Sequence, residues 1–412
     1  MMMKKLMAVF VTFAIVFSLA ACNNRENPSD TPGPGNQGGN AGGGAVTLKV
    51  WGAQEDQAML SEMIDAFKAA NPDKDYSISL GVVGEPDAKM RYLEDPAAAA
   101  DVFAFSNDQL RDLVSAGGLY EITRNREEII SANSEGSINA AMFDEKLYGY
   151  PMTADNGYFL YYDKSVISEE DAKTLDGILK AANNANKKVL MDVSDGWYIA
   201  SFFLGAGGKI GIDGNGKQTC DFNNARGLEV AEAIKKFCAD PAFMTGDNDI
   251  IQGGMGGTIC AAVSGTWNAE AIQAKLGDNY AATKLPTFTC AGEQVQMASF
   301  GGYKLIGVNS QTAHPVEAMD LAQWLTNEEN QLKRFRVRAM GPSNVRAAAD
   351  EDVKANAALA ALSLQSEFAV PQNDVLQKFW DPAEAFGTAL ESKDYSRSLQ
   401  DMLDEMVASI TA

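Results

Sequence analysis

The chain has 412 residues, with 34 Lys plus Arg against 55 Asp plus Glu and a formal net charge of −21. A single hydrophobic core stops growing at about 250–300 residues, so two lobes are expected. The acidic balance argues against a nucleic-acid binder, which needs a basic surface to displace counterions, and one histidine, His314, excludes a His-rich metal site.

At the N-terminus Lys4 and Lys5 precede an apolar run, Leu6 to Ala21, that ends at Leu19-Ala20-Ala21-Cys22. A charged start, a short apolar stretch and small residues at its end make an export signal, too short for a membrane span of about 20 residues. Leu-Ala-Ala-Cys resembles the bacterial lipobox, in which the cysteine is acylated; ordinary cleavage after Ala20 is the alternative. Residues 1–21 are thus read as signal peptide, and their removal takes away two lysines. Residues 22–45 form a tether: Asn23 to Ala45 holds seven Gly and three Pro and no side chain able to seed a core. Such a stretch reaches roughly 25 Å. A folded body working close to a membrane surface, outside the cytoplasm, fits this arrangement.

The body alternates strands and helices. Val46 to Trp51 alternates as a strand, and Leu60, Met63, Ile64 and Phe67 follow at helical spacing. Strands are expected at Tyr76–Val83 and Ala100–Phe105, with a helix over 107–116. Helices follow at 169–184, 195–204, 223–238 and 268–276, separated by strands at 187–191, 258–263 and 280–285. Phe300–Val308 is a further strand, 315–326 and 328–338 are helices, and Leu399, Met402, Leu403, Met406, Val407 and Ile410 form one helical stripe. The order predicts an α/β protein with mostly parallel sheets, helices on both faces and ligand loops at the strand ends. Gly211 to Thr219 reads as a hairpin turn, since as a calcium loop it lacks the required Gly and Glu.

Of five tryptophans, Trp324 lies in a helical stripe and Trp51 ends a strand; both read as packed. Trp197, Trp267 and Trp380 sit at strand-to-helix junctions, where an indole offers a flat apolar face with a polar edge. The C–H face of a pyranose needs such a platform, and its hydroxyls need carboxylates and amides.

These residues belong to a longer series: Leu48-Lys-Val-Trp51, Ala100-Asp-Val-Phe-Ala-Phe105 with Asp108-Gln109, Gly118 to Ile122, Leu147 to Pro151, Ser264-Gly-Thr-Trp267, Leu285 to Phe288 and Phe379-Trp380. In order and spacing the series resembles the extracellular solute-binding proteins of ABC sugar importers, and among them the maltose/maltodextrin-binding proteins. The resemblance implies a two-lobe periplasmic-binding-protein-like fold with a strand-crossover hinge and C-terminal helices. The first lobe would comprise 46–153 and 303–350, the second 154–302 and 351–412, with crossovers near 153–156 and 300–306.

The resemblance also implies site residues. Phe105 falls on a stacking Trp, Asp108 on an Asp that takes sugar hydroxyls, and Gln109 replaces the family's Arg. Asp155 falls on a Glu at the hinge side of the cleft, and Asp195 and Trp197 on a Glu and a Tyr of the second lobe. Trp267 and Trp380 match two stacking tryptophans outright. Gln54 or Glu55 lies near the family's Asp-Lys pair. Glu384 stands where the family has an Arg, and Asp381-Pro382-Ala383-Glu384 can also be read as an N-cap, proline at N1 and a capping-box Glu at N3.

Cys220, Cys238, Cys260 and Cys290 allow two disulfides or four free thiols. The function implied is a monomeric, lipid-anchored binding protein that captures an oligosaccharide, an α-glucan first, for an ABC permease, with no cofactor, metal or catalytic residue. A glycoside hydrolase pairing Asp108 with Asp155, or a binder of a non-sugar solute such as a peptide or polyamine, are the rivals. Cys22→Ser should move the protein from the membrane fraction to the soluble one without changing ligand affinity; normal processing with retention in the membrane would refute acylation at Cys22.

Overall fold

The computed structural model describes residues 45–412, so the signal and tether expectations lie outside the described residues. The chain enters through β1 (Val46–Gly52), whose Val46, Leu48 and Val50 point inward, and α1 (Gln57–Ala70). Helix α1 buries Met59, Leu60, Met63, Ile64 and Phe67, three and four residues apart, and stops where Asn71 donates its side-chain amide to the Phe67 carbonyl. Strands β2 (Tyr76–Val82) and β3 (Val102–Ser106) lie on either side of β1, both parallel to it.

The chain then crosses over. Strand β4 (Tyr150–Gly157) leaves the first sheet and runs almost directly into β5 (Phe159–Asp163) of a second sheet. That sheet is completed by β6 (Lys188–Leu190), β7 (Phe243–Met244), β8 (Ile259–Ser264) and β9 (Tyr280–Thr283), in the order β7-β6-β8-β5-β9. Strand β10 (Ser299–Val308) returns antiparallel to both β4 and β3, and β11 (Ala369–Pro371) pairs with its first three residues.

Both sheets are mixed, which corrects the expectation of mostly parallel ones. The βαβ strands are parallel, but the crossover strands arrive from the other lobe and must run the opposite way. Among the described residues three apolar clusters result, the smallest around Phe159, Tyr161 and Ile272 and two larger ones. One, built on β1–β3 and α1, runs from Val46 to Leu325; the other gathers Tyr158, Phe202, Phe222, Phe379 and the C-terminal helix Leu399–Thr411. All six apolar residues of that helix's stripe are buried.

Trp51 packs on Phe103, and Trp324 sets its ring edge-on to Phe67 and donates Nε1 to the Met63 carbonyl at 2.9 Å. Ile210–Ile212 and Gln218–Cys220 make a hairpin whose turn is tied by Asp213, which accepts from the amides of Asn215 and Lys217. The four cysteines are free thiols.

One buried ion pair fixes the entrance to α1. Asp56 accepts from Arg334 Nη1 at 3.0 Å and Arg338 Nε at 3.2 Å, both on the helix Glu328–Arg338, and the Asp56 and Arg334 side chains are almost wholly buried. Removing one member of such a pair strands a charge out of water. Asp56→Asn should therefore cost about 3–5 kcal/mol in urea unfolding; a loss below about 1 kcal/mol would show that water reaches Arg334.

Candidate functional site

A cleft of about 820 Å³ lies between the two sheets, at the ends of β1, β3, β6 and β8. Its size is that of a small-molecule site. Trp197, Trp267 and Trp380 all line it, each partly exposed. Trp197 is the second residue of the helix Gly196–Gly205; Trp267 follows β8 on a short 3-10 turn, and Trp380 opens the helix Trp380–Glu391. The Trp197 and Trp267 rings stand 5.9 Å apart at 37°, while Trp380 is braced edge-on by Phe300 and Phe379. Gly265 lets the Trp267 indole lie against the backbone, since a Cβ there would come within 2.1 Å of the ring.

Polar groups converge on the same space. Nine carboxylates and two cations line the cleft, and Glu55, Asp108, Asp195 and Glu384 are among the carboxylates. Asp108 Oδ1 accepts from Gln372 Nε2 at 2.9 Å, and Gln372 Oε1 accepts from Trp197 Nε1 at 3.0 Å. One amide thus joins the turn after β3 to the helix after β6, across the cleft. Burial pushes the Asp108 carboxyl up to about 6, against the pull of its own backbone hydrogen bond and the Gln372 amide. Asp195 caps its helix by accepting from the Trp197 amide at 2.7 Å. The residue is open to the cleft, and desolvation by the surrounding walls lifts the carboxyl to about 6.

Three sequence expectations need correction. Phe105 has no exposed surface and packs on Phe103 at 5.9 Å inside the first core. Every residue of β3 is buried and only Ser106, at its end, reaches the cleft, so the Phe105 ring is enclosed and cannot stack on a ligand. Asp155 is 2% exposed and does not line the cleft. Its Oδ2 accepts from Thr266 Oγ1 and from the Gly341 amide, both at 2.6 Å, which makes it a tie between the crossover and the turn carrying Trp267. The paired-carboxylate scheme thereby loses one member. The capping box at Asp381–Glu384 is also absent. The helix already begins at Trp380, with Phe379 as its N-cap and no capping side chain, and Glu384 instead faces the cleft.

Gln109 lines the cleft, but its amide is occupied. Nε2 donates to the carbonyls of Glu85 and Pro86 at 2.8 and 3.0 Å, and Oε1 accepts from the Lys89 amide. It shapes the wall at residues 85–89. Sequence reasoning missed Gln372, Lys304, Glu85, Asp56 and Arg338. None belongs to a local pattern, and long-range packing alone brings them in. Among the described residues no group of three or more His, Cys, Asp or Glu is placed to hold a metal ion.

The model of the bacterial extracellular solute-binding proteins matches residues 62–361, and the chain belongs to that family. It is 29% identical to the Galactooligosaccharide-binding protein of Bacillus subtilis (strain 168), over 93% of this chain and 91% of the relative. Identity to the Maltodextrin-binding protein MdxE of the same organism is 23%, over 99% and 98%. A structure solved with acarbose matches at 31% identity and a TM-score of 0.80, covering 89% of this chain and 99% of that one. The Thermus thermophilus maltotriose binding protein bound with maltotriose shares the fold at a TM-score of 0.75 and 17% identity, with coverage of 88% and 99%. The chain is thus an extracellular solute-binding protein of two lobes.

The Asp108 carboxyl gives a pH test. Its folded pKa is raised above the unfolded one, so the stability tied to its protonated form is present below about 4 and lost as pH rises through about 6. Asp108→Asn should remove this loss, gaining stability over the native chain at pH 7 but not at pH 4 in paired urea melts. An equal difference at both pH values would contradict the assignment.

Proposed function

We propose that the protein captures an oligosaccharide in the interlobe cleft and delivers it to an ABC permease, held at the outer membrane surface by a lipid on Cys22. The observation that carries this reading is the convergence of Trp197, Trp267 and Trp380 on one cleft with carboxylates and amides between them. Pyranose rings have apolar faces and polar rims, and this wall chemistry is their complement. Asp108, Asp195, Glu384 and Glu55 are assigned as hydroxyl acceptors and the three indoles as platforms.

Two relatives frame the sugar class, one a galactooligosaccharide binder and one a maltodextrin binder. The sequence resemblance favours an α-glucan, and the name of the relative with the higher identity supports a galacto-oligosaccharide as the second candidate. Binding without turnover is the reading favoured over hydrolysis, because Asp155 is committed to Thr266 and Gly341.

A thermal-shift panel of malto-, galacto-, xylo- and manno-oligosaccharides should give a rise with one class, since a ligand at 100 times its Kd adds about 2.7 kcal/mol. Trp267→Ala and Trp380→Ala should each weaken that ligand about 30-fold or more by calorimetry, with little loss of fold stability. Trp324→Ala should lower stability and leave affinity nearly unchanged. Shorter sugars appearing on incubation with the bound ligand would overturn the binding reading.

A further inference from the structure

Lys304 is a buried cation whose donors are not spent. It stands in the middle of β10, 8% exposed, and lines the cleft. Its Nζ is 3.6 Å from Glu85 Oε1, too far for a good hydrogen bond, and 5.6 Å from the centroid of the Trp267 ring. Among the described residues, Nζ meets no acceptor at hydrogen-bond distance. Arg338, the second cation of the cleft, is already engaged by Asp56 at 3.2 Å and Glu270 at 4.0 Å.

Both members of the Lys304–Glu85 pair are charged. Burial works against the ammonium, but Glu85, Asp155 and Asp56 outweigh it and raise its pKa; burial likewise opposes the Glu85 carboxylate, and Lys304, its own backbone amide and Arg334 together more than offset it. Holding two ions out of water is costly unless their remaining donors and acceptors are satisfied. An ammonium carries three N–H donors, and a carboxylate accepts through two oxygens. A donor and an acceptor set side by side match adjacent hydroxyls on a ring: one oxygen accepts from Nζ, and its neighbour donates to Oε. The Trp267 face beside them is the apolar surface on which such a ring would rest.

We propose that Lys304 and Glu85 form a hydroxyl-recognition pair on the cleft floor, taking the vicinal diol of the uncharged sugar ring that stacks on Trp267. This rests on the oligosaccharide reading above and adds to it the residues that choose ring stereochemistry. An epimer with one of the two hydroxyls inverted would lose one arm of the contact.

The test is titration calorimetry of the full chain, Lys304→Met, and the double variant Lys304→Met/Glu85→Gln, which leaves no unpaired charge and keeps the experiment open if the single variant unfolds. The probes are maltotetraose and galactotetraose, then the mono-deoxy derivatives of whichever the native chain binds more tightly. Each variant should lose about tenfold or more on the parent sugar, as for a hydrogen bond to a charged donor. For the derivative lacking the hydroxyl that meets Nζ, native chain and variant should bind within about twofold of each other. A uniform loss on every derivative makes the pair a structural strut and overturns the proposal, as does unchanged affinity for the parent. Failure of the native chain to bind these two tetrasaccharides and every xylo- and manno-oligosaccharide of the panel overturns the oligosaccharide reading instead, and this proposal falls with it.

Discussion

The two antiparallel crossovers, β4 and β10, are the constraint from which the rest follows. Paired side by side from Tyr150 to Gly157 and from Gly301 to Ile306, they are the shared backbone of both lobes. Because β4 continues into β5, any rotation of one lobe against the other must be absorbed within a few residues of Gly157 and Tyr158. The register is not continuous: β10 shifts against β4 between Gly302 and Lys304 and again between Lys304 and Leu305. Irregularities of this kind re-aim a side chain, and here they put Lys304 on the cleft floor. Hinge closure around a ligand is a common motion for this architecture, and Asp155, Gln372 and Arg338 all make contacts that such a motion would form or break.

The cleft's electrostatics follow from its walls. Carboxylates outnumber cations; Arg338 is bound by Asp56, and Lys304 has Glu85 beside it without a hydrogen bond. In water such a surface would repel itself modestly. Between two walls the charged form of each carboxyl loses hydration, and Asp108 and Asp195 shift upward in consequence. Hydroxyl groups suit this environment, since they can donate to a carboxylate without bringing a further charge into it.

Much of the fold was legible from local pattern. The alternation of Val46–Trp51, the heptad-like stripe of the last helix and the strand–helix order all survive in the structure. So does the placement of Trp197, Trp267 and Trp380 at strand-to-helix junctions facing one cleft. What was not legible has identifiable causes. The unbroken apolar run at Ala100–Phe105 reads as a buried strand, and it was the resemblance, not the local pattern, that put Phe105 in the cleft. The capping signature at Asp381–Glu384 was outweighed by packing of Phe379 and Trp380, which start the helix at Trp380, before the expected Pro382. Gln372 and Lys304 lie far in sequence from Asp108, Trp197 and Trp267, and only the tertiary fold brings them together.

Intrinsic fluorescence puts the central claim to its most direct test, because three of the five indoles line the cleft while Trp51 and Trp324 pack into the first core. Titrating the full chain with maltotetraose and with galactotetraose should give, for one of them, a saturable change in emission that Trp267→Ala weakens and Trp324→Ala does not. No change with either sugar, at concentrations where the same chain gives no heat in calorimetry, would contradict the account.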